Sequence, residues 1–310
     1  MLKAAEVLAE PLRQAVARFS NIRGGATAQH LPAFIPDDEG IKEGKSSIFF
    51  LFDGEGNTFD LSAEFLAYTA IQEDPTENVR KTLRSLLEYF EHEAHDKEIS
   101  KIRNHIYYIS NTQCPELYGL PKIHKPEVPL RPVVSSIKSV TARLASYLKT
   151  IIRPLTGNRT SVVRNSKEFC AEIKSLQLDL SGILVSYDVK DLFTNIPMDV
   201  TLNTLEKLLD GDPTLAQRTS LKTFHINKLV SFCMKEANYF RFQELFYMQK
   251  RGAPMGSPLS PVLAEVFMEF LEDVAFSTAD TSITPTVFKR LDQQRGSGMS
   301  QRCDWEPMKG

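Results

Sequence analysis

Ile183-Leu184-Val185-Ser186-Tyr187-Asp188-Val189-Lys190-Asp191-Leu192-Phe193-Thr194-Asn195-Ile196-Pro197 is the stretch on which the reading of this chain turns. A β-rich apolar run begins after Gly182, and Pro197 ends it ahead of a segment in which Leu202, Leu205, Leu208 and Leu209 recur at helical spacing. Asp188 therefore falls near the end of a strand. An isolated aspartate in such a place is most often a cap or turn residue, so its meaning depends on its neighbours.

Working outward, Ile226, Leu229, Val230, Cys233 and Met234 mark another helix, and Tyr239 to Gln249 alternates aromatic and polar residues as a hairpin does. Val262, Leu263, Val266, Phe267, Phe270, Leu271 and Val274 then repeat at helical spacing, which makes Gly256-Ser257-Pro258 the turn into a long amphipathic helix. Upstream, Asp74-Pro75-Thr76-Glu77 has the features of a helix start, followed by an apolar face of Val79, Leu83, Leu86, Leu87 and Phe90. His92 and His95 follow on that helix with no third ligand in sight, and read as a solvated helix end. Separate runs of helix and strand give an α+β fold class. The organisation read from these patterns is a divergent N-terminal segment over 1–59, a helical lead-in over 60–115, the main domain over 116–290 and a tail over 291–310. The N-terminal segment holds a short helical pattern and one apolar run, Ile48 to Phe52, read as a buried strand. The tail loses periodicity and is predicted to be disordered.

The bulk properties of the 310 residues fit a globular protein: 42% are hydrophobic and 25% charged, and the formal net charge of -2 leaves no global nucleic-acid signature. Cys114, Cys170, Cys233 and Cys303 are scattered without zinc-ligand spacing, so reduced thiols in an intracellular protein, nuclear or cytoplasmic, are expected. No stretch has the signature of a signal peptide or a membrane span, and no protein partner is indicated. Charge is nevertheless concentrated locally. Between Tyr118 and Arg164, the cations Lys122, Lys125, Arg131, Lys138, Arg143, Lys149, Arg153, Arg159 and Arg164 are opposed by Glu127 alone. Such a surface neutralises the phosphates of a nucleic acid or clamps a nucleoside triphosphate, while a plain solvated face is the simpler alternative. The prolines in Gly119-Leu120-Pro121-Lys122-Ile123-His124-Lys125-Pro126 and Leu130-Arg131-Pro132-Val133-Val134 favour a binding role, because they fix the backbone around the cations.

Four segments in order, Tyr118 to Pro126, Arg131 to Ser136, Tyr187 to Pro197 and Met255-Gly256-Ser257-Pro258-Leu259-Ser260-Pro261, resemble the reverse transcriptase of Penelope-like retroelements. The resemblance runs from about Asp60 to about Arg290. It implies a right-hand polymerase, with fingers and an incomplete palm, that copies an RNA template from a DNA primer using deoxynucleoside triphosphates and Mg2+. By the same resemblance, Lys122 or Lys125 with Arg131 would hold the triphosphate, and Asp188 would be the catalytic carboxylate and first metal ligand. Phe193 would exclude a ribose 2'-hydroxyl. Gly256 and Ser257 would form the turn against which template or nucleotide packs, for which a residue without a side chain is suited. Read without the resemblance, Phe193 is a core phenylalanine and the Gly256 segment a loop.

The resemblance stops after Val287-Phe288-Lys289-Arg290. There the family has an aromatic-x-Asp-Asp hairpin, whereas this chain continues Leu291-Asp292-Gln293-Gln294, and the thumb and GIY-YIG endonuclease of the family are not found either. A frameshift, an alternative exon or a truncated copy would explain the junction. One carboxylate, Asp188, is too few anionic ligands to offset the repulsion between two adjacent divalent cations, so polymerisation is expected to be lost. The alternative function is a non-catalytic remnant that still grips RNA or a primer–template duplex. Without its neighbouring hairpin, the strand bearing Asp188 is expected to be poorly covered and the chain of low stability.

Overall fold

The computed structural model describes residues 51–52, 58–59, 68–121, 130–176, 185–186, 189, 192–242, 244–279 and 285–291. Strands β1 (Leu51–Phe52) and β2 (Thr58–Phe59) pair antiparallel, and Leu51 and Phe52 belong to the apolar run read as a strand. β3 (Tyr68–Ile71) follows, then helices α1 (Thr76–Ala94) and α2 (Lys97–Tyr108). Strands β4 (Glu116–Pro121) and β5 (Leu130–Ser135) precede α3 (Ala142–Ile152), β6 (Val162–Val163) and α4 (Ser166–Ser175). The chain continues through α5 (Leu192–Asn195), α6 (Met198–Asp210), α7 (Leu215–Arg218) and α8 (Thr223–Ser231), the last running into a π turn at Phe232–Glu236. β7 (Tyr239–Phe242) and β8 (Leu245–Gln249) form the expected hairpin, and α9 (Ser260–Thr278) and β9 (Arg290–Leu291) complete the described residues.

The fold is α+β around a mixed five-stranded sheet in the order β3-β8-β7-β4-β5. β4 runs parallel to β7 and antiparallel to β5, with Glu116 opposite Ser135 at one end of the ladder and Pro121 opposite Leu130 at the other. The helical lead-in read from the sequence thus contains a strand, since Tyr68–Ile71 pairs antiparallel with Phe246–Gln249 as a sheet edge. A strand of four residues is too short to show a period against a helical background, and its partner lies far along the chain. The tail boundary also shifts by a residue, because Leu291 pairs with Val163 in β9.

Apolar spacing places the helices. Val79, Leu83, Leu87 and Phe90 lie on one face of α1, Ile99, Ile102 and Ile106 on one face of α2, and both faces are buried in the main core. The same core takes Leu144, Leu148 and Ile151 of α3, Leu205 and Leu209 of α6, and Leu229 and Val230 of α8. α1 begins where the sequence placed it: the Asp74 carboxylate accepts from the Thr76 amide at 2.9 Å and from its hydroxyl at 2.5 Å. His95 ends the helix in a left-handed conformation at φ 50°.

Asp96 fastens three parts of this core together. One oxygen caps α2, accepting from the amides of Glu98 at 3.0 Å and Ile99 at 3.2 Å. The other accepts from Thr219 Oγ1 at 2.6 Å, the Ser220 amide at 3.0 Å and Tyr147 Oη at 2.9 Å. Burial pushes the Asp96 carboxyl up, but the hydrogen bonds from Thr219, Ser220, Ile99 and Tyr147 outweigh it and hold the pKa below its ordinary 3.8. A depressed folded-state pKa adds stability above the unfolded value and loses it as pH falls. Asp96→Asn is therefore expected to cost about 2 kcal/mol at pH 7. In urea unfolding the gap from wild type should close as pH drops below 3.8. An equal gap at pH 7 and pH 3 would show that the charge of Asp96 is not what matters.

Candidate functional site

Three of the segments singled out in the sequence are joined by backbone contacts. Gly252, at φ +68°, lies so close to α5 that a Cβ built on it would sit 2.2 Å from the Phe193 carbonyl oxygen and 2.6 Å from the Thr194 backbone. The next amide, Ala253 N–H, donates to that Phe193 carbonyl at 2.8 Å. Four residues on, Gly256 has φ +112° and a built Cβ would stand 2.1 Å from the Val134 carbonyl oxygen. Val134 N–H donates to Met255 O at 2.7 Å, and Ser136 Oγ donates to Gly256 O at 2.9 Å. A single loop, residues 252–257, therefore touches β5 at one end and α5 at the other.

The loop then starts α9. Ser257 N–H donates to Pro254 O at 3.3 Å, Ser257 Oγ accepts from the Leu259 amide at 3.3 Å, and the buried Ser260 hydroxyl donates to Pro254 O at 2.6 Å. Gly256 is exposed on its outer side and Ser257 is half-buried. The sequence assigned Gly256 to close approach of a ligand. The structure supplies an internal reason as well, since the Val134 carbonyl already occupies the space of a side chain. Gly252 and Ser136 stand at the ends of the recognised segments, but neither was assigned a role from the sequence. A glycine directly after the last strand residues, at Lys250-Arg251-Gly252, was the available signal for a tight approach.

Phe193 is half-buried and packs against the main core, so part of its ring serves the core while part stays accessible. Arg131 is placed by its backbone in the β4–β5 ladder opposite Leu120. Lys122 and Lys125 belong to the connection between those strands and lie, with Asp188, outside the described residues. Among the described residues no group of three His, Cys, Asp or Glu side chains could hold a metal ion. The Mg2+ implied by the resemblance thus has a single assigned carboxylate, and no chemical step is derived through it. Burial pushes the thiols of Cys114 and Cys233 up to about 12, so neither supplies a thiolate at neutral pH.

The basic segment divides in the structure. Lys138, Arg143, Arg153 and Arg164 are exposed, but Arg159 is engaged by the protein itself. Its guanidinium pairs with both oxygens of Asp273, one at 2.6 Å, and its Nε with Glu269 at 3.3 Å. The hydrogen bond from Arg159 holds the Asp273 carboxyl below its usual range. Beside this pair, the buried Arg290 donates to Glu265 through Nη1 at 2.7 and 2.6 Å and to Glu272 through Nε. Glu272 also accepts from Ser161 Oγ at 2.9 Å, and Glu269 from the Gly157 amide at 2.7 Å. Read from sequence, α9 was only amphipathic; in the fold Glu265, Glu269 and Glu272 are buried against two arginines.

No protein-family model matches the chain, and no curated protein matches it. Among the described residues no helix is long and apolar enough to cross a membrane.

Proposed function

We propose that this chain carries the fingers and part of the palm of a right-hand polymerase, a reverse transcriptase of the Penelope-like retroelement kind, and is an RNA-directed DNA polymerase by descent. One observation carries this reading: the Arg131 to Ser136, Leu192 to Asn195 and Gly252 to Pro261 segments, scattered in sequence, are joined through the carbonyls of Val134 and Phe193 by one loop. Motifs that met only by chance in sequence would have no reason to share backbone hydrogen bonds. In this reading Phe193, Gly256 and Ser257 border the place where a nucleotide or template would lie, with Arg131 on the neighbouring strand and Lys122 and Lys125 in the sequence between β4 and β5. Asp188 is the remaining catalytic carboxylate. The activity is lost because Leu291-Asp292-Gln293-Gln294 stands where the aromatic-x-Asp-Asp turn would supply the other ligands. What remains is binding of RNA or a primer–template duplex by the basic fingers, in the nucleus or cytoplasm.

The purified chain is expected to give no primer extension on an RNA template with deoxynucleoside triphosphates and Mg2+. It is expected to bind the same primer–template, with affinity falling as salt rises. Lys122→Ala, Lys125→Ala and Arg131→Ala together should reduce the slope of log K against log salt by about 3, one for each phosphate contact removed. Extension that disappears on Asp188→Asn would overturn the loss of activity; an unchanged salt slope in the triple variant would remove the basic fingers as the binding surface.

A further inference from the structure

The end of α2 carries two tyrosines that the core does not use. Tyr107 is 53% exposed and Tyr108 79%, with ring centroids 4.9 Å apart and planes at 74°. The Arg84 guanidinium lies 4.3 Å from the Tyr107 ring centroid. Arg80 fixes the backbone beneath them: its Nε donates to Ile106 O at 3.0 Å, and its Nη2 to Ile109 O at 2.5 Å and Tyr107 O at 3.3 Å. The rings are thus presented outward from a clamped helix end. Rings fixed in advance lose little freedom when something stacks on them.

The surroundings are cationic. Arg143 stands close enough to His105 to help lower its pKa, after the larger effect of burial. Lys138 sits on an exposed turn tied to the segment after α2 by Gln113 N–H donating to Lys138 O at 3.1 Å. Among the described residues Arg84, Arg143 and Lys138 have no carboxylate within ion-pairing distance, and Glu77 and Glu91 on the same helix as Arg84 are paired with Arg80 and Arg103. Exposed rings, a guanidinium over one of them and unopposed cations form the combination that receives stacked bases and their phosphates.

We propose that Arg84, Tyr107 and Tyr108 form a stacking platform for single-stranded nucleic acid, with Arg143 and Lys138 as its phosphate contacts. Every base has a π-face, so the platform takes bases without reading their edges. The turn that carries Lys138 also holds Ser136, whose hydroxyl reaches Gly256 O, so the platform is joined through one turn to the candidate site. The choice of ligand rests on the nucleic-acid reading above, while the residues are separate from those that carry it.

The test uses the full chain and a fluorescent 12-nucleotide oligouridine. Tyr107→Ala with Tyr108→Ala should weaken binding by about tenfold or more, since each ring stacks on a base. Tyr107→Phe with Tyr108→Phe should leave it unchanged, because the rings remain, and Arg143→Ala or Lys138→Ala should each lower the salt slope by about 1. An oligonucleotide containing 5-iodouracil should photo-crosslink to Tyr107 or Tyr108. Wild-type binding by the alanine pair, with no crosslink at either tyrosine, overturns the platform and leaves the rings for a protein contact. If the Lys122, Lys125 and Arg131 triple variant still binds weakly in that case, the proposed function stands without the platform. No binding of oligouridine by the wild-type chain overturns the platform, and loss of primer–template binding as well overturns both.

Discussion

Arg290→Leu is expected to destabilise the chain by about 3 to 5 kcal/mol, among the largest effects of any single substitution outside the glycines. Arg290 is buried and gives two hydrogen bonds to the fully buried Glu265 and one to Glu272. Burial disfavours its charge, but the two carboxylates more than compensate and keep it protonated. A leucine would remove that cation while the carboxylates stay in a water-poor interior, where losing a charge partner costs more than the pair contributes. It would also loosen β9, which is held by Arg290 N–H donating to Ser161 O at 2.7 Å and by Lys289 Nζ reaching Thr160 O at 2.7 Å. Replacing all three members at once, as Glu265→Leu, Glu272→Leu and Arg290→Met, should recover most of the loss, because the three charges that pair with one another then leave together while Glu269 keeps Arg159. Urea unfolding of the single and triple variants measures both. A single variant within about 0.5 kcal/mol of wild type would mean that water reaches Glu265 and the network is not a closed interior one.

That network also marks the limit of what the sequence could tell. Elements built on local periodicity were legible: the start of α1 at Asp74, the leucines of α6, the β7–β8 hairpin and the turn into α9 each carry their signal within a dozen residues. The burial of Glu265, Glu269 and Glu272 on a helix read only as amphipathic was not legible, because their partners are far off in sequence; Asp273 and Arg159 are 114 residues apart. For the same reason Arg159 was counted with cations free to meet phosphate. The strand Tyr68–Ile71 was hidden by its length and by a partner strand at the other end of the domain. The motif segments were recognisable as segments, but nothing in them said that they touch. Gly256 was attributed to a ligand, although the group nearest its missing side chain is the Val134 carbonyl.

Gly252→Ala is expected to cost about 3 to 4 kcal/mol, and the comparison that gives this meaning is Gly157→Ala. Both glycines have a positive φ, +68° and +75°, so both alanines meet the same backbone penalty of about 1 kcal/mol. Around Gly157 nothing lies within 4 Å of a built Cβ, whereas at Gly252 the Phe193 carbonyl is at 2.2 Å. The difference between the two variants therefore measures the close approach of the loop to α5 rather than the turn itself. A Cβ at Gly252 must push the loop off Phe193 and break the hydrogen bond from Ala253. Local opening should then be visible as faster hydrogen exchange at the Ala253 amide, and, because the same loop continues to Gly256, at the Val134 amide that donates to Met255 O. Even if Gly252→Ala unfolds the chain outright, Gly157→Ala should remain folded with a small loss in urea midpoint, which preserves the comparison. Equal costs at the two positions would mean that the loop does not press on α5, and the meeting of the motif segments would no longer support a polymerase ancestry.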